Sequence, residues 1–284
     1  MEVPVLEEAP QEEGEDVPVL KEIEPVLAAI DNISRARPQS GLQQASRVYE
    51  FLVEGGITRF IAVFNILYDE DFIIGPIRSI RPYMAYQALE HGGIMAHGGY
   101  SQRTRAEIGN LPLTHIVTST YLWRDSSRKA PHNLYTHMEK LLTAAGHDGG
   151  FTQVRPTPPL LPSESSDGLE IEISYRSNNR VSYTYNEEDA VYLRFINGNP
   201  HLDRETGEQI QVRRVILRKT VHKPITGTEL LEIDLTGKGD GYLYEEGRAY
   251  AIRWEYWDGY TRYHHDDETP VDTSYGNTWI QVVR

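Results

Sequence analysis

The sequence predicts an α+β protein in which an N-terminal mixed α/β domain precedes a β-rich, mainly antiparallel C-terminal domain. Three observations carry this. Strand-like and helix-like segments alternate between residues 25 and 154, prolines crowd the stretch 155–168, and short runs of branched and aromatic residues recur from 169 to the end. A length of 284 residues suits two domains, each able to bury its own core.

The elements follow in order. Residues 1–24 hold nine acids against Lys21 and read as a solvated acidic spacer, because like charges repel and prolines interrupt regular structure. PVLAAID (25–31) is a continuous apolar run that suits a buried strand. VYEFLVE and ITRFIAVFN flank Gly55-Gly56 and predict a hairpin with a two-residue turn. PYMAYQALEH has helical spacing, starts at Pro82 and stops at Gly92. IMAH reads as a strand, TRAEIGN as a short helix, THIVTSTYL as a strand and APHNLYTHMEKLLTAAG as a helix ending at Gly146. RPTPPLLPSESSDG (155–168) reads as a linker, since its prolines remove donors and fix φ. IEISYRS, RVSYTYN, AVYLRF, IQVRRVILRKTV, LLEIDL, RAYAIRWEYW and TWIQVV then predict an antiparallel β domain over 169–284.

Composition excludes several functions. The net charge of −14 comes without a basic stripe, which argues against nucleic acid, whose phosphates need clustered Lys and Arg. With no cysteine, disulfides and cysteine-ligated zinc are excluded. No run approaches the roughly 20 apolar residues of a membrane span. No cofactor fingerprint is present: TGKGDGY (236–242) lacks the strand–GxxxxGK[ST]–helix order of a phosphate loop and reads as a turn. HHDDE (264–268) reads as a solvated loop and not a metal site, because neighbouring strand residues point to opposite faces.

The most informative stretch is GPIRSIRPYMAYQALEHGGIMAHGGYS. Arg78 and Arg81 stand where a helix begins, although its positive dipole end repels cations at a cost of about 0.3–1 kcal/mol each. Two explanations compete: an external anion gripped by the arginines, or an internal carboxylate from Glu50, Glu54 or Asp125. His97 ends a strand beside Gly98 and Gly99, where backbone can approach a ligand closely and an imidazole can transfer protons. WRDSSRKAPHN adds Arg124, Asp125, His132 and Asn133, with Asp125 placed to orient His97 or neutralise Arg81 and His132 near the start of the next helix. Glu54 and Arg59, on either side of the glycine turn, are expected to pair across the hairpin. RWEYWDGYTRY offers aromatic rings that suit sugar stacking or sheet packing.

The ordered motifs ARPQSGLQQASRVYEFLVEGGITRF, GPIRSIRPY, HGGYS, YLWRDSSRKAPHNLY, NGNPHLDRETGEQIQVRRVIL and GNTWIQVV resemble the YerB-like lipoproteins, a bacterial envelope family without an established activity. The resemblance runs from Ile23 to Val283. It implies an extracytoplasmic protein tethered through a lipidated cysteine upstream of the acidic spacer. Two departures stand out: Ser46 occupies the place of a usual acid, and no lysine lies near Trp254-Glu255 where one is usual. The expected function is a noncatalytic binding or scaffold protein for an envelope glycan, an anionic envelope component or an envelope protein. Its expected ligand-binding residues are Arg59, Arg78, Arg81, His97, Gly98, Gly99, Arg124, His132 and Asn133, with no metal or cofactor. The rival is a hydrolase or transferase acting on an envelope polymer, with Arg78 and Arg81 as an anion clamp, His97 as acid or base, and Glu54 or Asp125 as its partner.

Overall fold

Val26, Ala28 and Ile30 point into one apolar layer and Leu27 and Ala29 into another, so the strand that carries them is buried on both faces. That is why its sequence is a continuous apolar run and not an alternating one. The computed structural model describes residues 19–67, 71–154, 161–273 and 276–284. Most of the predicted spacer and the prolines at 156, 158 and 159 lie outside the described residues.

The first half contains β1 (Leu20–Asp31), β2 (Arg47–Leu52), β3 (Thr58–Leu67), β4 (Ile73–Ile74), α1 (Pro82–Leu89), β5 (Ile94–Ala96), α2 (Gln102–Ile108), β6 (Thr114–Ile116), β7 (Trp123–Arg124), β8 (Leu134–His137), α3 (Met138–Ala145) and β9 (Thr152–Val154). The second half is all strand: β10 (Ser166–Asp167), β11 (Glu170–Arg176), β12 (Asn179–Asn186), β13 (Val191–Ile196), β14 (Asn199–Pro200), β15 (Gln211–Val212), β16 (Arg214–Lys219), β17 (His222–Pro224), β18 (Leu231–Ile233), β19 (Lys238–Glu245), β20 (Arg248–Trp257), β21 (Tyr260–His265) and β22 (Thr278–Val283). The architecture is therefore β-rich and mainly antiparallel, with three short helices among the described residues.

One sheet of order β10-β20-β19-β16-β22-β2-β3-β1-β5-β6 runs through both halves of the chain. Its centre is the last strand, β22, which pairs in parallel with β2 on one side and β16 on the other. Above one face lie α3 and the smaller β11–β13 sheet, whose Ile171, Val181 and Tyr183 join Phe60, Phe64 and Trp279. Against the other face lie α1 and α2, through Tyr83, Met84, Ala85, Ala88 and Ile108. Met84 is fully buried there, and truncating it to Ala is expected to cost about 2–5 kcal/mol.

Several expectations change. The first strand starts at Leu20, inside the predicted spacer, because residues 20–22 pair with β9. Gly55 sits in a 3-10 turn, Glu54–Gly56, within the β2–β3 hairpin. The helix predicted from 130 is shorter: Leu134–His137 is a strand pairing with β4 and β7, and α3 begins at Met138. The predicted turn at 236–242 largely belongs to β19. There Gly241 admits the Leu217 carbonyl, which would lie 2.3 Å from a Cβ at this position. The predicted linker ends as a strand too, with Ser166 and Asp167 pairing with Ala249 and Arg248.

Candidate functional site

Pro82 opens α1 and Arg81 is its N-cap residue, so the helix start lies where the sequence placed it. Arg81 grips Glu54 with two parallel contacts, Nε to Oε1 and Nη2 to Oε2, the second at 2.7 Å. Burial alone would push the Glu54 carboxyl up, but hydrogen bonding and charge from Arg81 hold it below its ordinary range. Arg78 finds a different carboxylate: its Nε lies 3.0 Å from Asp31 Oδ2 at the end of β1. The same oxygen receives His132 Nδ1 at 2.7 Å.

Arg59 is the third member. It lies on β3 opposite Asp31 on β1 and Phe51 on β2, and is 3% exposed. The expected Glu54–Arg59 pair does not form: the turn lifts Glu54 away from the ladder, and Arg81 takes it. Arg59 Nη1 donates to the Ser79 carbonyl, its buried Nε has no hydrogen-bond partner, and among the described residues no carboxylate oxygen lies within 4.0 Å. Burial first, then the charges of Arg81 and Arg78 against Asp31 and Glu54, pull its pKa down to about 10. Arg59, Arg78, Arg81, Glu54, Ser79, Tyr100 and Ser101 line one open cavity of about 500 Å³, with Leu230 at its edge. Counting Asp31 behind Arg78, three arginines face two carboxylates, a local excess of one positive charge.

His97 sits at the end of β5, as expected, but is fully buried and does not line this cavity. Its Nε2 meets His115 Nδ1 at 2.8 Å, and its Nδ1 accepts from the Gly99 N–H at 3.1 Å. Burial first, then His115, depress its pKa to about 4, so the ring is neutral near pH 7. Gly98 and Gly99 act through backbone: Gly98 N–H donates to the Arg78 carbonyl at 3.0 Å, and Ile80 N–H donates to that of Gly99 at 3.1 Å. A Cβ on Gly98 would stand 3.2 Å from the Arg78 backbone, so glycine permits this pairing.

The 124–133 loop divides its residues. Asp125 orients neither His97 nor Arg81; Arg204, from the second half of the chain, binds its Oδ2 at 2.6 Å. Hydrogen bonds from Ser127, then Arg204, hold Asp125 at about 2. Arg124 donates to Asn133 Oδ1 at 2.8 Å, and Asn133 donates to the Asp125 carbonyl at 3.0 Å, so these residues fasten the loop to itself. His132 alone reaches the arginine cluster, through Asp31; it precedes β8 and not a helix, whose N-cap is His137.

Glu50, a third proposed partner for the arginines, is fully buried elsewhere. It binds Arg194 Nη2 at 2.7 Å and accepts from Asn32 at 3.2 Å and from Thr58. Arg194 also donates to His201 Nδ1 at 3.0 Å and lies 4.4 Å from the Trp279 ring centroid. His201 Nε2–H donates to Gln39 Oε1 at 2.8 Å, and Gln39 donates to the Asp31 carbonyl at 2.9 Å. No residue of this network except Glu50 stood out in the sequence. Its two groups, Asp31 to Thr58 and Arg194 to Trp279, lie more than a hundred positions apart, and the only local signal is a charged residue inside a strand.

In the C-terminal half, His264 faces Glu255 at 3.9 Å while His265 is buried on the opposite side of β21. Among the described residues no group of three or more His, Asp or Glu is arranged to hold a metal ion. Trp257 and Tyr260 pair across the β20–β21 hairpin and are exposed.

Two family models match the chain: "Protein of unknown function (DUF3048) N-terminal domain" over residues 14–151, and its C-terminal domain counterpart over 171–280. A Bacillus subtilis (strain 168) protein named "Putative lipoprotein YerB" is 30% identical over 277 residues, which cover 91% of this chain and 81% of that protein.

The chain belongs to the DUF3048 family, with YerB as a relative.

The crystal structure of YerB from Bacillus subtilis has the same fold, with a TM-score of 0.78 at 29% identity over 93% of this chain and 91% of that one. Two matched regions thus share one sheet in this family member, since β22 from the C-terminal region pairs with β2 from the N-terminal one.

Proposed function

We propose that this DUF3048 protein is a noncatalytic envelope binding protein whose Arg59–Arg78–Arg81 cavity takes an anionic group. The observation that carries the reading is Arg59: a buried arginine facing an open cavity, with an unpartnered Nε and no carboxylate within 4.0 Å among the described residues. Burying a charge is costly unless it is paired, and an incoming phosphate or carboxylate supplies the pair. Arg81, whose three nitrogens already bind Glu54 and the Ile80 carbonyl, and Arg78, beside Asp31, are held in fixed positions, so they add positive charge at the cavity with little entropy lost on binding. The name of the relative YerB supports an extracytoplasmic protein tethered by a lipid; among the described residues no helix is long and apolar enough to cross a membrane. The partner on this reading is an anionic or glycan component of the envelope or a protein bearing such a group.

Calorimetric titration with inorganic phosphate, sulfate and acetate tests the cavity. Phosphate is expected to bind the parent protein, and Arg78→Lys, which keeps charge but loses the planar fork, is expected to weaken it. Absence of heat with every anion would refute the reading. The rival reaction, as read from the sequence, uses His97, which is buried away from the cavity. The one observation that favours it places His132 in that role instead, held by Asp31 at Nδ1 beside Arg78 as a general base could be. Turnover of purified envelope polymers that disappears in His132→Gln would establish that alternative.

A further inference from the structure

Beside the arginine cavity lies a second one of about 510 Å³, and Arg81 and Leu230 line both. Its walls differ in origin and character. One is α1, through Tyr83 and Tyr86; the facing wall is the β17–β18 hairpin and its approach, through Val221, Ile225, Leu230 and Leu231. Val221 and Tyr86 are 54% and 37% exposed, so apolar surface continues to the mouth. Arg81 is already paired with Glu54, so the groove's own charges, Arg103 and Lys223 against Glu107, Glu232 and Asp234, leave an excess of one negative charge. The excess positive charge sits only at the Arg59 end.

The geometry points to an amphiphilic ligand: an anionic head held by Arg59, Arg78 and Arg81, continued by an aliphatic chain lying in the groove between α1 and the β17–β18 hairpin. This rests on the anion-binding reading above and adds the chemical class of what is joined to the anion. Charge complementarity fixes the direction, because an anionic head group at the far end would meet a groove with a net negative charge. The wall chemistry favours a chain, since Val221, Ile225, Leu230 and Leu231 of the hairpin wall are aliphatic and, among the described residues, no Asn or Gln amide lines the groove; the rings of Tyr83 and Tyr86 opposite add further apolar surface. Such a ligand could be free or belong to a membrane leaflet, and both present the same head and chain.

Octyl phosphate, inorganic phosphate and octanol, each titrated into the intact protein below micelle-forming concentrations, separate the parts. Octyl phosphate is expected to bind about a hundredfold more tightly than inorganic phosphate, a modest yield for a partly buried chain at the usual gain per methylene. Leu231→Gln, on the surface hairpin, is expected to remove most of that advantage and leave phosphate binding unchanged. Equal affinities for phosphate and octyl phosphate would overturn the groove proposal while leaving the anion site intact. Octanol binding as tightly as octyl phosphate would overturn the role of the arginines, and binding of none of the three would overturn both readings. Co-sedimentation with phosphatidylcholine vesicles containing phosphatidic acid would assign the head group to a leaflet; octyl phosphate binding without co-sedimentation would assign it to a free amphiphile.

Discussion

Arg194 and Arg59 are 0% and 3% exposed, yet their surroundings differ in the feature that matters most for a buried charge. Arg194 has Glu50 at 2.7 Å, His201 at 3.0 Å, the Tyr183 hydroxyl, and the face of Trp279. Burial alone would lower its pKa, but Glu50 and Tyr183 raise it. Arg59 has one carbonyl, an idle Nε and two neighbouring arginines, and its pKa falls to about 10. The first is a closed lock that joins the chain's two halves; the second is an incomplete site. Hydrogen-bond satisfaction distinguishes the two where burial does not.

Breaking the lock should have the largest effect. Arg194→Ala strands Glu50 as an unpaired buried carboxylate and is expected to cost about 3–5 kcal/mol by denaturant unfolding; a loss below about 1 kcal/mol would show that the network is not structural. Arg81→Ala releases Glu54, whose pair is only partly buried, so about 1–2 kcal/mol is expected, between the exposed and buried limits. Arg59→Gln strands no carboxylate, and its stability cost should stay under about 1 kcal/mol while phosphate affinity falls about tenfold or more.

Smaller and more gradual is the pH dependence of the buried histidines. His97 has a folded pKa of about 4 against an ordinary 6.5, so between these values the unfolded chain binds more protons. The stability contributed by its neutral ring is therefore complete above 6.5 and lost as pH falls towards 4. Each such group adds a slope of up to about 1.4 kcal/mol per pH unit. His91, lowered to about 3 by burial and then Arg47, and His201, lowered by burial and then Arg194, act in the same direction. Unfolding measured across this range should show a shallower slope for His97→Asn than for the parent, with the remainder intact. An unchanged slope would show that His97 is not buried neutral.

What the sequence could show depended on how local the cause was. The β2–β3 hairpin and α1 are set by apolar spacing, a glycine turn and Pro82, all within a few residues, and both were readable. Leu134–His137 read as helix because its pairing with Ile73–Ile74 and Trp123–Arg124 is invisible to local periodicity. β19 read as a turn because Gly239 and Gly241, normally breakers, serve there to admit the Trp254 ring and the Leu217 carbonyl. The misplaced cations Arg78 and Arg81 meet internal carboxylates: Glu54, one of the partners expected for them, holds Arg81, and Asp31 lies against Arg78. Asp31 carries no local signal because it ends an apolar strand, and the partner of Asp125, Arg204, lies across the chain and out of reach of local spacing. Glu50–Arg194, 144 positions apart, required the folded sheet to bring it together.

The contrast between the two arginines is tested most directly by melting temperature against inorganic phosphate concentration for the parent protein and Arg59→Gln, at constant ionic strength. Because a ligand that binds only the folded state stabilises it by mass action, the parent should melt at progressively higher temperature as phosphate rises, and Arg59→Gln should not respond. Equal responses in the two proteins, or none in the parent, would contradict the claim that Arg59 is a charge left open for an anion.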